Sequence, residues 1–164
     1  MPINQSLIAE LQHEGLGTRK LLERVKEDTY SYQPHEKSML LIKLATHVAE
    51  FPSWLEPTIQ LGEMDFATMD YKPPVIQNNK DLLDLFDNSL KIGVEALKKA
   101  DDSNLMETWT AKNNGAVVFA MPRVQVVRSM IMNHLVHHRA QLGVYLRMNE
   151  VPLPSIYGPT ADEH

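Results

Sequence analysis

The sequence predicts an all-α fold, a four-helix bundle formed by a single domain over residues 1–164. Four long segments place apolar residues at three- and four-residue steps, which is the spacing of one face of a helix. No stretch alternates apolar and polar residues for long enough to predict a sheet, and no internal repeat is present. Four amphipathic helices without intervening strands are typical of a bundle around one core.

The first two predicted helices have recognisable ends. The first runs from about Asn4, a good N-cap residue, to about Asp28. The second follows Ser38, another N-cap candidate. Pro52 should kink or end this helix, because proline lacks the N–H that bonds to the carbonyl four residues earlier. Residues up to about Leu61 can continue beyond the kink.

The other two predicted helices lie in the second half of the chain. The third runs from about Asn79 to about Ala100 and is followed by a polar loop at 101–104. The fourth starts at about Pro122, which suits the first helical position. Asn149 can take the left-handed conformation that ends it.

Polar or proline-bearing linkers connect the four helices. They cover residues 30–37, 62–78 and 103–121. The last one contains the apolar run GAVVFA at 115–120, which is suited to a short extended piece.

Charge and composition exclude several classes of protein. The 16 basic and 21 acidic side chains leave a net charge of −5, so binding to nucleic acid is not expected. The absence of cysteine excludes a disulfide scaffold, a thiolate metal site and a cysteine nucleophile. No apolar run reaches the length of a membrane span, and no signal peptide is visible, so a cytoplasmic protein without a membrane partner is expected.

Three histidines lie within apolar helical stripes. His134 and His138 are one turn apart on the fourth helix and share a face, and His47 lies on the inward face of the second helix. Each alone is explained as a core histidine with satisfied hydrogen bonds. Together they require partners for three buried rings, and one divalent cation can bind a nitrogen of each.

Four nearby residues have less specific interpretations. Glu50 and Gln141 lie one turn past His47 and His138, where they can accept a hydrogen bond from a metal-bound ring. Glu50 can alternatively act as a base toward a metal-bound water, or be a solvated residue. His137 lies on the flank of the stripe and is the weaker ligand candidate. Arg139 faces away from the histidines and is interpreted as a surface or interface residue.

Small residues occupy core positions on the two helices that supply no histidine. These are Gly15 and Thr18 on the first helix and Gly93 on the third. A small residue in a core layer leaves a void unless something fills it, which favours a cavity for a metal-bound water and a substrate. Close helix packing around the imidazole rings is the alternative.

The fourth-helix segment NHLVHHRAQLGVYLR at 133–147 resembles the DinB/YfiT-like family of bacterial bundle metalloenzymes. The segment LATH at 44–47 with Glu50, and VPLPSIYGP at 151–159, share the resemblance. It implies a four-helix bundle of this type, in which one histidine of the second helix and two of the fourth bind a divalent metal. The matching residues are His47, His134 and His138. The resemblance further implies a homodimer and, where activities are known, thiol-cofactor-dependent transferases and isomerases.

The function expected from these observations is that of a metal-dependent enzyme acting on a small molecule, either a hydrolase or a thiol-cofactor-dependent S-transferase. Three histidines leave coordination positions open, as in catalytic metal sites. A non-catalytic metal- or small-ligand-binding protein, with a role in stress, is the alternative, and a structural bundle without metal is a third. One divalent cation per chain is expected, and zinc, nickel, iron and manganese all suit imidazole. A low-molecular-weight thiol is the expected second cofactor.

Overall fold

A computed structural model describes residues 1–164. The chain forms both helices and strands. The helices are α1 (Ile3–Leu22), α2 (Leu41–Glu50), α3 (Leu55–Gln60), α4 (Asn79–Lys99), α5 (Asp102–Met106), α6 (Arg123–Gln125) and α7 (Asn133–Met148). The strands are β1 (Glu63–Asp65), β2 (Thr108–Asn113) and β3 (Ala116–Pro122). No helix is both long and apolar enough to cross a bilayer.

The break expected at Pro52 is confirmed. Helix α2 ends at Glu50, a 3₁₀ turn covers Phe51–Trp54, and α3 continues to Gln60. The last predicted helix is interrupted in a different way, because a π-helical segment over Val126–Met132 joins α6 to α7. Segments of this kind occur often at functional sites, and this one ends shortly before His134.

Two asparagines tie α1 to α4. Asn4 is not an N-cap, since α1 begins at Ile3; its amide instead donates to the carbonyls of Leu97 and Ala100 at the end of α4. Asn79 donates in the same way to the carbonyls of Leu22 and Val25 at the end of α1. Each helix therefore starts with a side-chain amide that donates to carbonyls at the end of the other, and two of these, at Leu22 and Leu97, also accept a backbone N–H.

The all-α prediction is wrong, because the chain also forms a three-stranded mixed sheet. Strand β1 pairs in parallel with β2, and β2 pairs antiparallel with β3. Asn114 and Gly115 connect β2 to β3 with φ values of 50° and 78°. Asn-Gly is the preferred sequence for a two-residue hairpin turn with positive φ at both positions. The polar loop expected at 101–104 is also partly wrong, because α5 begins at Asp102.

The small core residues serve close packing rather than a cavity. A Cβ atom on Gly93 would lie 2.5 Å from the carbonyl oxygen of Pro52, and one on Gly15 would lie 2.9 Å from a methyl carbon of Leu90. The Thr18 hydroxyl is buried and donates to the carbonyl of Glu14. The cavity expected between the first and third predicted helices is therefore filled by neighbouring helices.

Candidate metal centre

The three histidines named from the sequence meet between α2 and α7. Nε2 of His134 lies 2.8 Å from Nε2 of His138, and one nitrogen of each of the three rings lies within 4.8 Å of the others. Two imidazole nitrogens at 2.8 Å need a proton or a cation between them, since their lone pairs otherwise repel. The distance between the donor atoms is short enough for one ion to bind all three.

Two of these rings also contact a hydrogen-bond acceptor outside the cluster. Nδ1 of His47 is 3.2 Å from Oε1 of Glu50, and Nδ1 of His138 is 2.7 Å from Oε1 of Gln141. Such contacts select the tautomer of a ligating histidine and hold its ring in place.

Glu50 is buried, with 7% of its surface exposed, although a flank position was compatible with a solvated residue. Its second oxygen accepts a hydrogen bond of 2.7 Å from the hydroxyl of Tyr71. Burial and the Glu50 hydrogen bond raise the pKa of Tyr71 well above its ordinary value, so this hydroxyl remains a donor. Both carboxylate oxygens of Glu50 are therefore engaged, one by a histidine and one by a tyrosine.

Burial lowers the pKa of two of the three histidines. Desolvation is the largest cause at both His134 and His138, and it outweighs the opposing effects on the pKa of the Met130 backbone at His134 and of the hydrogen bond to Gln141 at His138. His138 is only 8% exposed. The neutral imidazole, which is the form that binds metal, is therefore favoured at neutral pH.

An apolar cavity of about 190 Å³ lies beside the cluster. The helices and the sheet both contribute to it, so the sheet that the sequence did not predict forms part of its wall. The lining residues are His47, Phe51, Trp54, Thr58, Met64, Phe66, Trp109, Phe119, Val126, Met130, Ile131 and His134.

A second and more open groove, of about 590 Å³, also borders His47. It is less apolar than the cavity and includes the exposed Lys43. Its lining residues are Met39, Ile42, Lys43, Thr46, His47, Glu50, Tyr71, Pro73, Pro74, Val75 and Ile76. His47 is thus common to two spaces of different polarity.

Other sequence-named residues lie around the cluster. His137 is exposed on the flank of α7 and is not part of the three-histidine group. Gln141 is largely exposed, although its side-chain oxygen reaches His138. Sequence reasoning missed Tyr71, Trp109 and the other cavity residues of the sheet. The Asn-Gly pair at 114–115 was the available indication of the hairpin that carries Trp109.

Arg139 is not a surface residue, because only 3% of its side chain is exposed. It donates to the carbonyl and carboxylate of Glu14 at 3.0 and 2.6 Å, and to the Thr18 hydroxyl at 3.0 Å. Tyr157 from the C-terminal segment accepts from Arg139 and donates to Glu14 at 2.6 Å. Glu14, Thr18, Arg139 and Tyr157 are called the arginine cluster below.

The three-histidine group fits a transition-metal ion on chemical grounds. Neutral imidazoles are common ligands for such ions, and the rings of His47 and His138 have partners that fix their orientation. The fold and the site thus define a helical protein with a small sheet and a potential metal-binding group between two helices. The chain belongs to the DinB family, whose model matches residues 1–163.

Solved structures of similar fold come from several bacteria. A DinB-like protein from Bacillus cereus is 24% identical, with a TM-score of 0.70 over 95% of this chain and 98% of that one. A DinB-like protein from Bacillus subtilis is 21% identical, with a TM-score of 0.73 over 94% and 99% of the two chains. A candidate DinB family member from Exiguobacterium sibiricum is 22% identical, with a TM-score of 0.67 over 93% and 95%. No curated protein matches the sequence.

Proposed function

We propose that the protein is a metal-dependent S-transferase, which joins a low-molecular-weight thiol to a small electrophile at a centre formed by His47, His134 and His138. The observation that carries the proposal is the position of His47, which borders both the apolar cavity and the more polar groove. A transfer reaction needs two molecules next to each other. Hydrolysis requires only one bound substrate and water, so the second space favours transfer.

The metal centre is assigned to the three converging ring nitrogens. A divalent cation bound there supplies Lewis acidity, which favours the deprotonated form of a neighbouring thiol. Glu50 has a positioning role rather than that of a base, because its oxygens are held by His47 and Tyr71. Gln141 positions His138 in the same way.

The groove is assigned to the thiol and the cavity to the electrophile. Lys43 is the cationic residue of the groove, so a thiol that carries a carboxylate suits it. The cavity is mainly apolar and excludes water from the electrophile.

A homodimer and a cytoplasmic location remain predictions. Light scattering after gel filtration tests the prediction of a homodimer.

Two measurements on one preparation test this proposal. Protein purified without a nickel column is analysed for bound metals, and about one divalent cation per chain is expected. The same protein is then given 4-nitrobenzyl chloride with cysteine or glutathione, and chloride release is followed. The thiol sulfur forms a bond to the benzylic carbon, chloride leaves with the bonding electron pair, and the thiol proton passes to the buffer.

Faster chloride release with metal-loaded protein than with chelator-treated protein is the expected result. Equal rates would overturn the transferase assignment. Metal-dependent cleavage of 4-nitrophenyl acetate without any thiol transfer would replace it by the hydrolase. Stoichiometric metal without either reaction would leave a metal-binding protein without these activities.

A further inference from the structure

The apolar cavity has an unusual set of polar groups. Of its twelve lining residues, only His47, Thr58 and His134 have polar side chains other than the indoles, and none carries a carboxylate, ammonium or guanidinium group. The Thr58 hydroxyl already donates to the carbonyl of Trp54 at 2.8 Å. Trp109 is 3% exposed, and its indole N–H is buried without a hydrogen-bond partner.

The wall of the cavity on the sheet side is aromatic. Trp109 and Phe119 both line the cavity, with their ring centroids 6.0 Å apart. The indole N–H of Trp109 has no exposed surface, so it does not open into the cavity. A ligand there would contact aromatic and aliphatic side chains.

The size of the cavity limits what fits. Its volume is about 190 Å³, somewhat more than the roughly 150 Å³ of an apolar protein cavity that binds benzene. One substituted ring can therefore be accommodated, and two fused rings with substituents are too large. A charged substituent would lose its hydration without gaining an opposite charge.

We propose that the electrophile taken by the cavity is a compact, uncharged molecule built on a single aromatic ring. The assignment of this molecule as a substrate rests on the proposed transferase function. Its binding rests only on the cavity, so it is testable without metal and without turnover.

Tryptophan fluorescence is a direct measure of this binding. The chain contains two tryptophans, Trp54 and Trp109, and both line the cavity. Chelator-treated protein is titrated with 4-nitrobenzyl alcohol, an unreactive probe whose nitro group quenches indole fluorescence and accepts hydrogen bonds. Saturable quenching is expected, and 4-nitrobenzoate of similar shape should bind about tenfold more weakly because its charge is desolvated. Non-saturable quenching, or equal affinity for the two probes, would overturn the proposal.

Variants on the sheet locate the bound probe. Phe119→Ala should weaken binding about fivefold by removing an aromatic contact. Val118→Ala, at the neighbouring and 63% exposed position, is the matched control and should leave binding unchanged. Equal effects of the two variants would place the probe outside the cavity.

The two proposals fail in different ways. His138→Ala should lose metal yet keep probe binding, because His138 does not line the cavity. If the protein binds the probe but never acquires a metal ion, only the proposed function is overturned. Stoichiometric metal without probe binding would overturn only the cavity assignment.

Discussion

His138 and Arg139 are adjacent on α7 and both are buried, yet they belong to clusters with different chemical needs. In the arginine cluster, the guanidinium is paired with Glu14, Thr18 and Tyr157, and its charge lies 5.1 Å from the centre of the Tyr157 ring. In the three-histidine group, the outer nitrogens of His47 and His138 have partners, but one nitrogen of each ring faces the other two.

This difference between the two clusters distinguishes a group that stabilises the fold from a group that is a candidate functional site. The arginine cluster is complete without any external molecule, and it joins α1, α7 and the C-terminal segment. The histidine group brings one ring nitrogen of each of three histidines close together. The lone pairs of these nitrogens need a proton or a metal ion between them. A polar cluster that is satisfied within the chain stabilises the fold, whereas one that needs an outside partner is a candidate site.

The largest expected effect is loss of the metal. His138→Ala removes one of three donors, so metal content should fall from about one cation per chain to a small fraction. His137→Ala is the matched control, since His137 is exposed and outside the group, and it should retain the metal. Elemental analysis measures both variants. Equal losses would show that the ligand assignment is wrong.

Breaking the arginine cluster should affect the free energy of unfolding rather than the metal. Arg139→Leu leaves the Glu14 carboxylate, only 14% exposed, with the Tyr157 hydroxyl as its one remaining side-chain partner, and should cost about 3–5 kcal/mol, measured by urea denaturation. Arg147→Leu is the control, because Arg147 pairs with Asp162 near the surface and should matter little. A double change of Arg139 and Glu14 to Leu should recover part of the loss. If Arg139→Leu costs no more than the control, the cluster does not hold the C-terminal segment.

A smaller change in metal binding is expected when the residues that hold the histidines in place are replaced. Glu50→Gln weakens the hydrogen bond to His47 and should lower metal affinity about 10- to 100-fold. Tyr71→Phe should have a weaker effect in the same direction. Glu56→Gln, on the exposed surface of α3, serves as the control and should have none. Competition with a chromophoric chelator measures these affinities, and a loss equal to that of Glu56→Gln would refute the positioning role.

The smallest expected effect is a pH dependence confined to the histidine group. Burial lowers the pKa of His134 and His138, so the folded state binds fewer protons than the unfolded state below about pH 6.5. The free energy of unfolding of metal-free protein should therefore fall as the pH decreases through this range. Metal affinity should weaken in parallel below about pH 6, because protons compete for the same nitrogens. An affinity that is constant from pH 5 to 8 would indicate carboxylate ligands.

Much of the helical part of the fold could be predicted because helical spacing is a local property. The four-residue step between His134 and His138 places them on one face, and Pro52 interrupts the second helix as expected. The sheet was missed because its strands are three to seven residues long and lack a sustained alternation. Its local indication was the Asn-Gly turn.

The environment of single residues was harder to predict. Arg139 faces away from the histidines, as its position on the helix implies, but that side of α7 is covered by α1 and the C-terminal segment. The environment of Gly93 was hard to predict for the same reason, because a glycine is compatible both with a cavity and with close packing of neighbouring elements. The carbonyl of Pro52 occupies the space.

Local sequence was enough to specify most of the helices and the histidines that share their apolar faces, because propensity and periodicity act over a few neighbouring residues. Packing between distant parts of the chain determined where the cavity lies, that Tyr71 holds Glu50, and that Arg139 is buried. The contacts behind the last two span 21 positions for Tyr71 and Glu50, and 125 for Arg139 and Glu14. Such contacts are set by how the elements pack against one another, which the local pattern does not specify.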